Sequence, residues 1–577
     1  MDRQLRADIS RRHIQDFSTA KETEPHWGYA DRIVPCANDP GSCAYLDEVY
    51  GAHDLGMIYV GVFWLTLAAV LAVWGTFHWR SRRSDAKTQR PSAAVDGATA
   101  RFKRAALAFT RRYLLPEACF PFGRASRLQV TILALLTGYL TIWTFVGIGY
   151  QKWVTPVASS PGSYNTRTSL GPWSDRIGVL AYALTPLSIL LSTRESFLSA
   201  VTGVPYQNFN FLHRWLGYVI VVQSSLHTIG WCIIEIRLYQ PQPMVAEMWI
   251  KQLYMIWGVV AMILLLLLYV LSLPPVIRLT GYEFFRKSHY ALAIIYIGAC
   301  IGHWEKLHCF LTPSILIWAL DRLARAIRTF LLHRNRAGGL FSITPAKGET
   351  ILFPNAADGD VVRIDFDMVA PPWKIGEHFY LCFPRAASGI GRDEAHRRDV
   401  VQKVAGAGSA SDGSSGTGSS SSGGTGADIS VLLTGPYGED LARQLTPASN
   451  VLCVAGGTGI TYVLPVLLEL ARRDLSGRSV DLVWVVRRSK DVKWIEPELA
   501  ILRANPGIAV RVLVTREDEA HNTAASPSIE KMIDEKEQAA GVDDVGKSAA
   551  GATKLALVGG ENEPPEKRHR TWREFRV

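Results

Sequence analysis

The chain has 577 residues, 48% of them apolar and 20% charged, where a soluble domain averages about 25% charged, which excludes a wholly soluble enzyme. At roughly 100 to 200 residues per domain the length holds three or four units. A net charge of +10 from 62 basic and 52 acidic residues would suit nucleic acid if the bases formed one face; here they cluster beside apolar runs, so the balance reads as membrane orientation with no nucleic-acid partner.

Residues 1–56 form a polar segment with no apolar h-region in its first thirty positions, so no cleaved signal peptide is expected and the first membrane helix must direct insertion. Cys36 and Cys43 in this segment either bridge in an oxidising compartment or remain thiols. The eight cysteines show no CxxC or Cys/His zinc spacing, so structural zinc is not expected.

Crossing a bilayer takes about 20 mainly apolar residues. Met57–Phe77, Leu128–Tyr150 and Leu253–Leu273 qualify without a charge, and Phe211–Ile234 and Phe285–Gly302 qualify apart from histidines and a few terminal bases. Ile177–Leu191, with Pro186, and Cys309–Leu320 are shorter, bringing the expected total to about seven spans. The first helix occupies residues 57–79, a basic loop 80–127, and the remaining spans 128–332. Lys and Arg alternate between sides: Arg80 to Arg112 follow span one, Arg278, Arg286 and Lys287 lie between spans five and six, and Arg322 to Arg336 follow the last. The positive-inside rule then places the N-terminus outside and the C-terminal region in the cytosol.

After Arg336 short β-type runs such as VVRIDFDM and EHFYLCFP predict a small antiparallel barrel over 333–440. Residues 405–427 are almost pure Gly, Ser and Ala and are expected to be disordered. Residues 441–577 read as α/β: VLCVAGGTGITYVLPVLLELARR is strand, glycine turn and amphipathic helix, followed by the strands VDLVWVVRR and AVRVLVTRE.

Four histidines carry the chemistry. His213 and His227, and His289 and His303, are each fourteen positions apart, about four helical turns, which puts each pair within ~40° of one helix face and ~21 Å apart. A single intramembrane histidine is commonly satisfied by a neighbouring helix, but four at matched spacing stack two bis-histidine sites across the bilayer. The ~21 Å separation excludes a shared zinc or copper ion. Two haems with two axial ligands each fit it.

With these motifs in view, the chain resembles the fungal ferric-chelate reductases of the ferric reductase and NADPH oxidase superfamily. The resemblance covers most of residues 55–515 and rests on TGVPYQNFNFLHRWLGYV, the histidine pairs, IWALDRLARAIR, GEHFYLCFPR, LLTGPYG and VLCVAGGTGITYVLP with WVVR downstream. It implies a membrane α-helical bundle with a bis-haem core, followed by a cytosolic ferredoxin-reductase-like β-barrel for FAD and an α/β domain for NAD(P). His213 and His289 would ligate the inner haem b, and His227 and His303 the outer one. Fourteen-position spacing in both helices is similar to the metalloreductase branch, since the oxidase branch typically shortens the second pair by one.

In the cytosolic half, Gly456, Gly457, Thr458, Gly459, Ile460 and Thr461 open a helix after a strand, where backbone N–H groups and the positive helix end face a pyrophosphate. The upstream GPYG turn, Gly435, Pro436, Tyr437 and Gly438, fits a flavoprotein reductase. Arg487 and the Thr515, Arg516 pair sit where related reductases hold the adenosine 2′-phosphate, which favours NADPH over NADH. Arg214 is either a propionate partner or an ordinary positive-inside residue, Asp321 and Arg322 read as an interfacial ion pair, His378 points into the barrel or solvent, and His53, His308 and His521 read as surface residues.

The chain departs from the pattern in two places. The family's His-Pro-Phe-Thr type flavin motif is replaced by AASGIGRDEAHRRDVVQKVAGAG, with only His396, and the Cys-Gly-Pro strand end is missing near KLALVGGENEPP. The resemblance implies a multi-pass plasma-membrane, or vacuolar, metalloreductase moving electrons from cytosolic NADPH through FAD and two haems to extracellular Fe(III) chelates or Cu(II). A superoxide-generating NADPH oxidase and a catalytically impaired haem-binding paralogue are the alternatives.

Overall fold

The computed structural model describes residues 21–87, 98–382 and 427–516 with short breaks, and 573–575. The chain divides into two compact units, Met1–Leu331 and Leu332–Val577.

The first unit is helical because its apolar runs are long and carry few charges. Its long helices are α1 (Pro40–Lys87), α2 (Arg127–Phe145), α3 (Leu170–Ser192), α4 (Phe209–Ile233), α5 (Leu253–Leu271), α6 (Tyr282–His303) and α7 (His308–His333). Among the described residues five segments, Pro40–Arg80, Arg127–Phe145, Leu170–Ser192, Tyr206–Leu238 and Leu253–Leu271, are long and apolar enough to cross a membrane. Helices also occupy the positions expected for spans six and seven, where Glu283, Arg286 and Lys287 in α6 and Asp321, Arg322, Arg325 and Arg328 in α7 dilute the apolar character. The first helix begins at Pro40, well before Met57, so residues 40–56 of the N-terminal segment are helical. Ser126 starts α2 with a capping box: its hydroxyl accepts from Gln129 N–H, and Gln129 Oε1 accepts from Ser126 N–H.

α3 is the central helix. Val179, Leu180, Leu184 and Leu187 are buried against Val60 of α1, Leu140 of α2 and Leu216 and Ile220 of α4, whereas Leu135, Leu253 and Ile263 stay exposed on faces that suit lipid. His53 departs from the sequence reading here, and Asp321 keeps its ion pair with Arg322 while gaining further partners. His53 is fully buried: its Nδ1 lies 3.0 Å from Asp175 and its Nε2 3.0 Å from the Trp27 carbonyl, an acceptor only a folded N-terminal segment brings near. Asp321 takes Arg325 as its close partner, with Arg322 Nε at 3.8 Å, and it also accepts the N–H groups of Arg194 and Glu195, each at 2.9 Å. It therefore ties α7 to the turn after α3, because i to i+4 spacing reaches along the helix and i to i+1 does not. Cys36 and Cys43 form a disulfide in the N-terminal segment, which also contains the hairpin of β1 (Glu22–Glu24) and β2 (Arg32–Val34). A second hairpin, β3 (Lys152–Pro156) with β4 (Tyr164–Thr168), precedes α3.

The second unit holds two sheets. β5 (Ala346–Phe353), β6 (Val361–Phe366), β7 (Glu377–Cys382) and β8 (Ala427–Gly438) form, among the described residues, a four-stranded antiparallel sheet of order β6-β5-β8-β7 within the span expected to form the barrel. The GPYG motif ends strand β8 and is not a free turn: Gly438 pairs with Glu377 and Tyr437 with His378. β9 (Val451–Gly456), β10 (Val480–Val486) and β11 (Ile508–Val514) are parallel, with β12 (Arg573–Phe575) antiparallel at the edge. Helices α8 (Ile460–Ala471) and α9 (Glu496–Arg503) connect them and bury Leu467, Leu470, Leu499 and Leu502 on Leu482 and Trp484. Residues 405–426 of the Gly/Ser segment, His396, His521 and KLALVGGENEPP lie outside the described residues.

Arg363 on β6 links this sheet to α9, donating to Glu498 at 3.0 and 2.6 Å and to the Trp494 carbonyl at 3.1 Å. Partial burial pushes the Glu498 carboxyl up, but the Arg363 hydrogen bond and charge outweigh it and hold it below its ordinary value. A depressed folded pKa stabilises above the unfolded value of about 4.3 and ceases to do so as pH falls through the folded value. Glu498→Gln is expected to cost about 1 to 3 kcal/mol at neutral pH, read as a lower melting temperature of the full chain, with the gap to the parent closing in acid. A gap that persists unchanged below that window would assign the loss to packing instead.

Candidate functional site

The histidine pairs are built by two helix hairpins. α3 backs α4 and α5 backs α6, and the two imidazole-bearing helices face each other. The His213 and His289 ring centres are 6.1 Å apart, with planes at 81°. Those of His227 and His303 are 6.3 Å apart at 86°. A metal about 2 Å from each of two facing imidazole nitrogens places ring centres roughly 6 Å apart, so both tiers match one metal held between two rings.

Hydrogen bonds decide which nitrogen faces inward. His227 Nδ1 lies 2.7 Å from the Ser174 carbonyl and His303 Nδ1 2.8 Å from the Tyr254 carbonyl. A carbonyl only accepts, so each Nδ1 carries the hydrogen and each Nε2 keeps its lone pair. His213 Nδ1 likewise donates to the Ser188 carbonyl at 2.8 Å. His289 Nδ1 lies 3.3 Å from Ser272 Oγ, whose own hydrogen goes to the Leu268 carbonyl at 2.6 Å, leaving the oxygen to accept. Orientation of a ligating imidazole through its other nitrogen is the ordinary device at metal sites.

The two hairpins repeat one local design. On α3 the carbonyl of Ser174 precedes Gly178 by one turn; on α5 the carbonyl of Tyr254 precedes Gly258 by one turn. A Cβ on either glycine would lie 2.7 Å from the Nδ1 of His227 or His303. These backing residues were not singled out from the sequence. Their only signal is a glycine inside an apolar helix, which costs about 1 kcal/mol relative to alanine and so asks for a packing reason.

A cavity of about 820 Å³ adjoins the His227–His303 tier, lined by Gly178, Tyr182, Gly258, Tyr296 and Trp304 among others. Its size and apolar lining suit an enclosed cofactor, and together with two inward Nε2 atoms the residues present fit a bis-histidine haem. The N-terminal segment lies on the same side: Trp304 Nε1 donates to the Gly28 carbonyl at 2.9 Å, and the Tyr29 ring lies 5.6 Å from that of Trp304. Arg214 is exposed and His308 is exposed as expected.

In the second unit the strand order brings the nucleotide residues to one edge. β9 ends at Gly456, opposite Val485 of β10. Gly457 takes φ +52°, which suits glycine, and Gly457–Gly459 form a single tight turn before α8 begins at Ile460. Trp484 Nε1 donates to the Gly457 carbonyl at 2.9 Å and the Thr461 hydroxyl to the Thr458 carbonyl at 3.0 Å, which hold the turn while Thr458 and Gly459 stay exposed. Arg487 follows β10 and Thr515 follows β11; Thr515 N–H donates to the Val486 carbonyl at 3.0 Å and Arg516 N–H to the Arg487 carbonyl at 2.7 Å. Arg487, Thr515 and Arg516 are thus neighbours at the carboxyl edge of the parallel strands, where dinucleotides bind in such sheets. Arg488, not singled out from the sequence, joins them. Gly435, Pro436, Tyr437 and Gly438 lie elsewhere, on β8, where Tyr437, Tyr380 and His378 form an aromatic cluster with ring centres 5.6 to 6.2 Å apart. Residues 383–426, which include the segment expected to contact flavin, lie outside the described residues, so no flavin fit is read from this sheet.

Residues 177–300 match the family described as ferric reductase like transmembrane component, and residues 448–561 match the ferric reductase NAD binding domain. In these two regions the chain is similar to ferric reductases. It is 28% identical over 368 residues to a probable cell surface ferric reductase, kap2, of Aspergillus oryzae, covering 59% of this chain and 47% of that protein. Ferric reductase transmembrane component 6 of Saccharomyces cerevisiae is 25% identical over 362 residues, with 59% and 47% covered. Ferric/cupric reductase transmembrane component 2 of the same yeast is 24% identical over 506 residues, with 82% and 65% covered. The chain spans about half the length of the first two of these curated relatives. This ferric reductase relative is therefore a multi-pass membrane protein with a nicotinamide-nucleotide domain, and both histidine pairs begin within the matched transmembrane segment, with His303 three residues past its end.

Proposed function

We propose that this chain is a transmembrane metalloreductase that passes electrons from cytosolic NADPH, via FAD and two haems b, to extracellular Fe(III) chelates or Cu(II). The observation that carries the reading is the pair of imidazole tiers with every Nδ1 turned onto a carbonyl or hydroxyl. His213 with His289 would hold the inner haem and His227 with His303 the outer one. When bound, these groups would supply the conversion of a hydride into single electrons and their passage across the membrane. The protein's own part is to orient the four rings from α3 and α5, to exclude water with the apolar helix faces, and to present the glycine turn and the arginines to the nucleotide.

A plasma-membrane location, with the second unit in the cytosol, is proposed on the distribution of basic residues; a vacuolar membrane is the other location the family resemblance allows. The Cys36–Cys43 disulfide supports an outside N-terminal segment, because disulfides persist in oxidising compartments. With the cytosol negative, outward movement of one electron gains about 2.3 kcal/mol per 100 mV. Membranes containing the full chain should show NADPH-driven reduction of a ferric chelate without stoichiometric superoxide. Superoxide as the sole product would replace the reading with an oxidase, and haem absorbance with no NADPH-driven haem reduction would leave a non-catalytic haem protein.

A further inference from the structure

The arginines at the strand ends converge on a carboxylate that belongs to the antiparallel sheet. Asp358 lies in the connection between β5 and β6, with its N–H donating to Asn355 Oδ1 at 3.3 Å and its side chain only 5% exposed. Arg488 Nε donates to its Oδ2 at 2.7 Å and Arg516 Nη1 to its Oδ1 at 3.1 Å; Arg487 Nη1 lies 3.5 Å from Oδ1 and 3.3 Å from the Asp358 carbonyl. Three cations face this one carboxylate. Arg487 and Arg516 are 56% and 66% exposed, open to a ligand arriving from solvent.

Guanidinium forks suit phosphate, and an arginine beyond the glycine turn is the group that accommodates the 2′-phosphate of NADP in dinucleotide-binding sheets. Here the point on which the donors converge is held by a carboxylate. We propose that Asp358 is a specificity-determining residue of the nucleotide site, an internal counter-ion that occupies the arginines in place of a 2′-phosphate and must share or yield them when phosphorylated nucleotide binds. The inference rests on the NADPH reading of this edge. Asp358 stays ionised near neutrality, since the Arg488 hydrogen bond, with the charges of Arg488, Arg487 and Arg516, holds its carboxyl below the ordinary range. A doubly charged phosphate entering the cluster is therefore opposed by the carboxylate as well as attracted by the guanidinium groups. A nucleotide without the 2′-phosphate meets neither effect.

The test is calorimetric titration of the full chain in detergent with 2′,5′-ADP and with 5′-AMP, comparing the parent with Asp358→Asn and Asp358→Ser. Asparagine keeps an oxygen acceptor for Arg488 and removes only the charge; serine provides a second, smaller variant if asparagine disturbs folding. Both variants should bind 2′,5′-ADP about tenfold more tightly, with 5′-AMP affinity unchanged. If the parent prefers 2′,5′-ADP and the variants bind it no better, or more weakly, the counter-ion role is overturned while the NADPH reading stands. If no protein distinguishes the two nucleotides, the NADPH reading falls and takes the inference with it.

Discussion

His227→Ala is expected, on the proposed two-haem assignment, to leave the purified chain with about half of the parent's haem, because the outer site would lose one of its two axial ligands while the inner site would keep both. His303→Ala should do the same, and His213→Ala or His289→Ala should remove the inner signal and spare the outer. The pairing is what gives this prediction its force: each ring has one partner across α4 and α6, 6.1 or 6.3 Å away, so the four substitutions must fall into two classes of two. Pyridine haemochrome quantification with low-spin electron paramagnetic resonance reads both the amount and the class. Parent-level haem in His227→Ala, or four substitutions that each abolish all haem in a chain that still folds, would contradict two independent tiers. Ferric-chelate reduction should fall by orders of magnitude in every variant, since either break interrupts the proposed route.

The partners across the two helices came from the family resemblance, but the placement within each helix was legible in the sequence because helical periodicity is a local rule. Fourteen residues bring a helix back almost to the same face, so the co-facial placement of His213 with His227 and of His289 with His303 follows from numbering alone. The same rule located the apolar helices and the strand, glycine turn and helix around Gly456–Thr461. What the sequence did not show depends on which helix lies behind which. No local rule couples Gly178 to His227 across 49 positions, or Tyr254 to His303 across the same interval, and both contacts arise only when α3 and α5 pack against the ligand-bearing helices. His53 was misread for the same reason: a histidine in a polar stretch looks solvent-facing until Trp27 and Asp175 are brought to it. GPYG was read as a turn because Gly and Pro usually mark one, yet Pro436 and Gly438 close a strand that has a partner in β7. Asp358 belongs to this class too, since the charge that faces the strand-end arginines comes from another sheet.

Gly258→Ala provides the sharpest test of how the ligands are held, because it adds one methyl and touches no ligand. An added Cβ would sit 2.7 Å from His303 Nδ1 and 2.8 Å from its Cε1, well inside the 3.5 to 4.0 Å at which carbon atoms pack comfortably. The ring must then swing away, or α5 must withdraw from α6, and either motion lengthens the 2.8 Å hydrogen bond to the Tyr254 carbonyl. Losing that bond frees the tautomer as well as the orientation, so Nε2 no longer faces its partner dependably. A tenfold to hundredfold loss in affinity is the ordinary cost of removing such an orienting group, and the outer haem should be depleted or shifted in potential while the inner signal stays. Gly178→Ala should repeat the result through His227, where the added atom would again lie 2.7 Å from Nδ1. Gly61→Ala on α1 and Gly138→Ala on α2 are the controls, because a Cβ at either position meets nothing within 4 Å, neither helix bears one of the four histidines, and alanine favours the helix. Redox titration of the two haem signals in all four variants separates the outcomes: silent controls with a selective outer-site defect support the steric account, and a parent-like spectrum in Gly258→Ala would refute it.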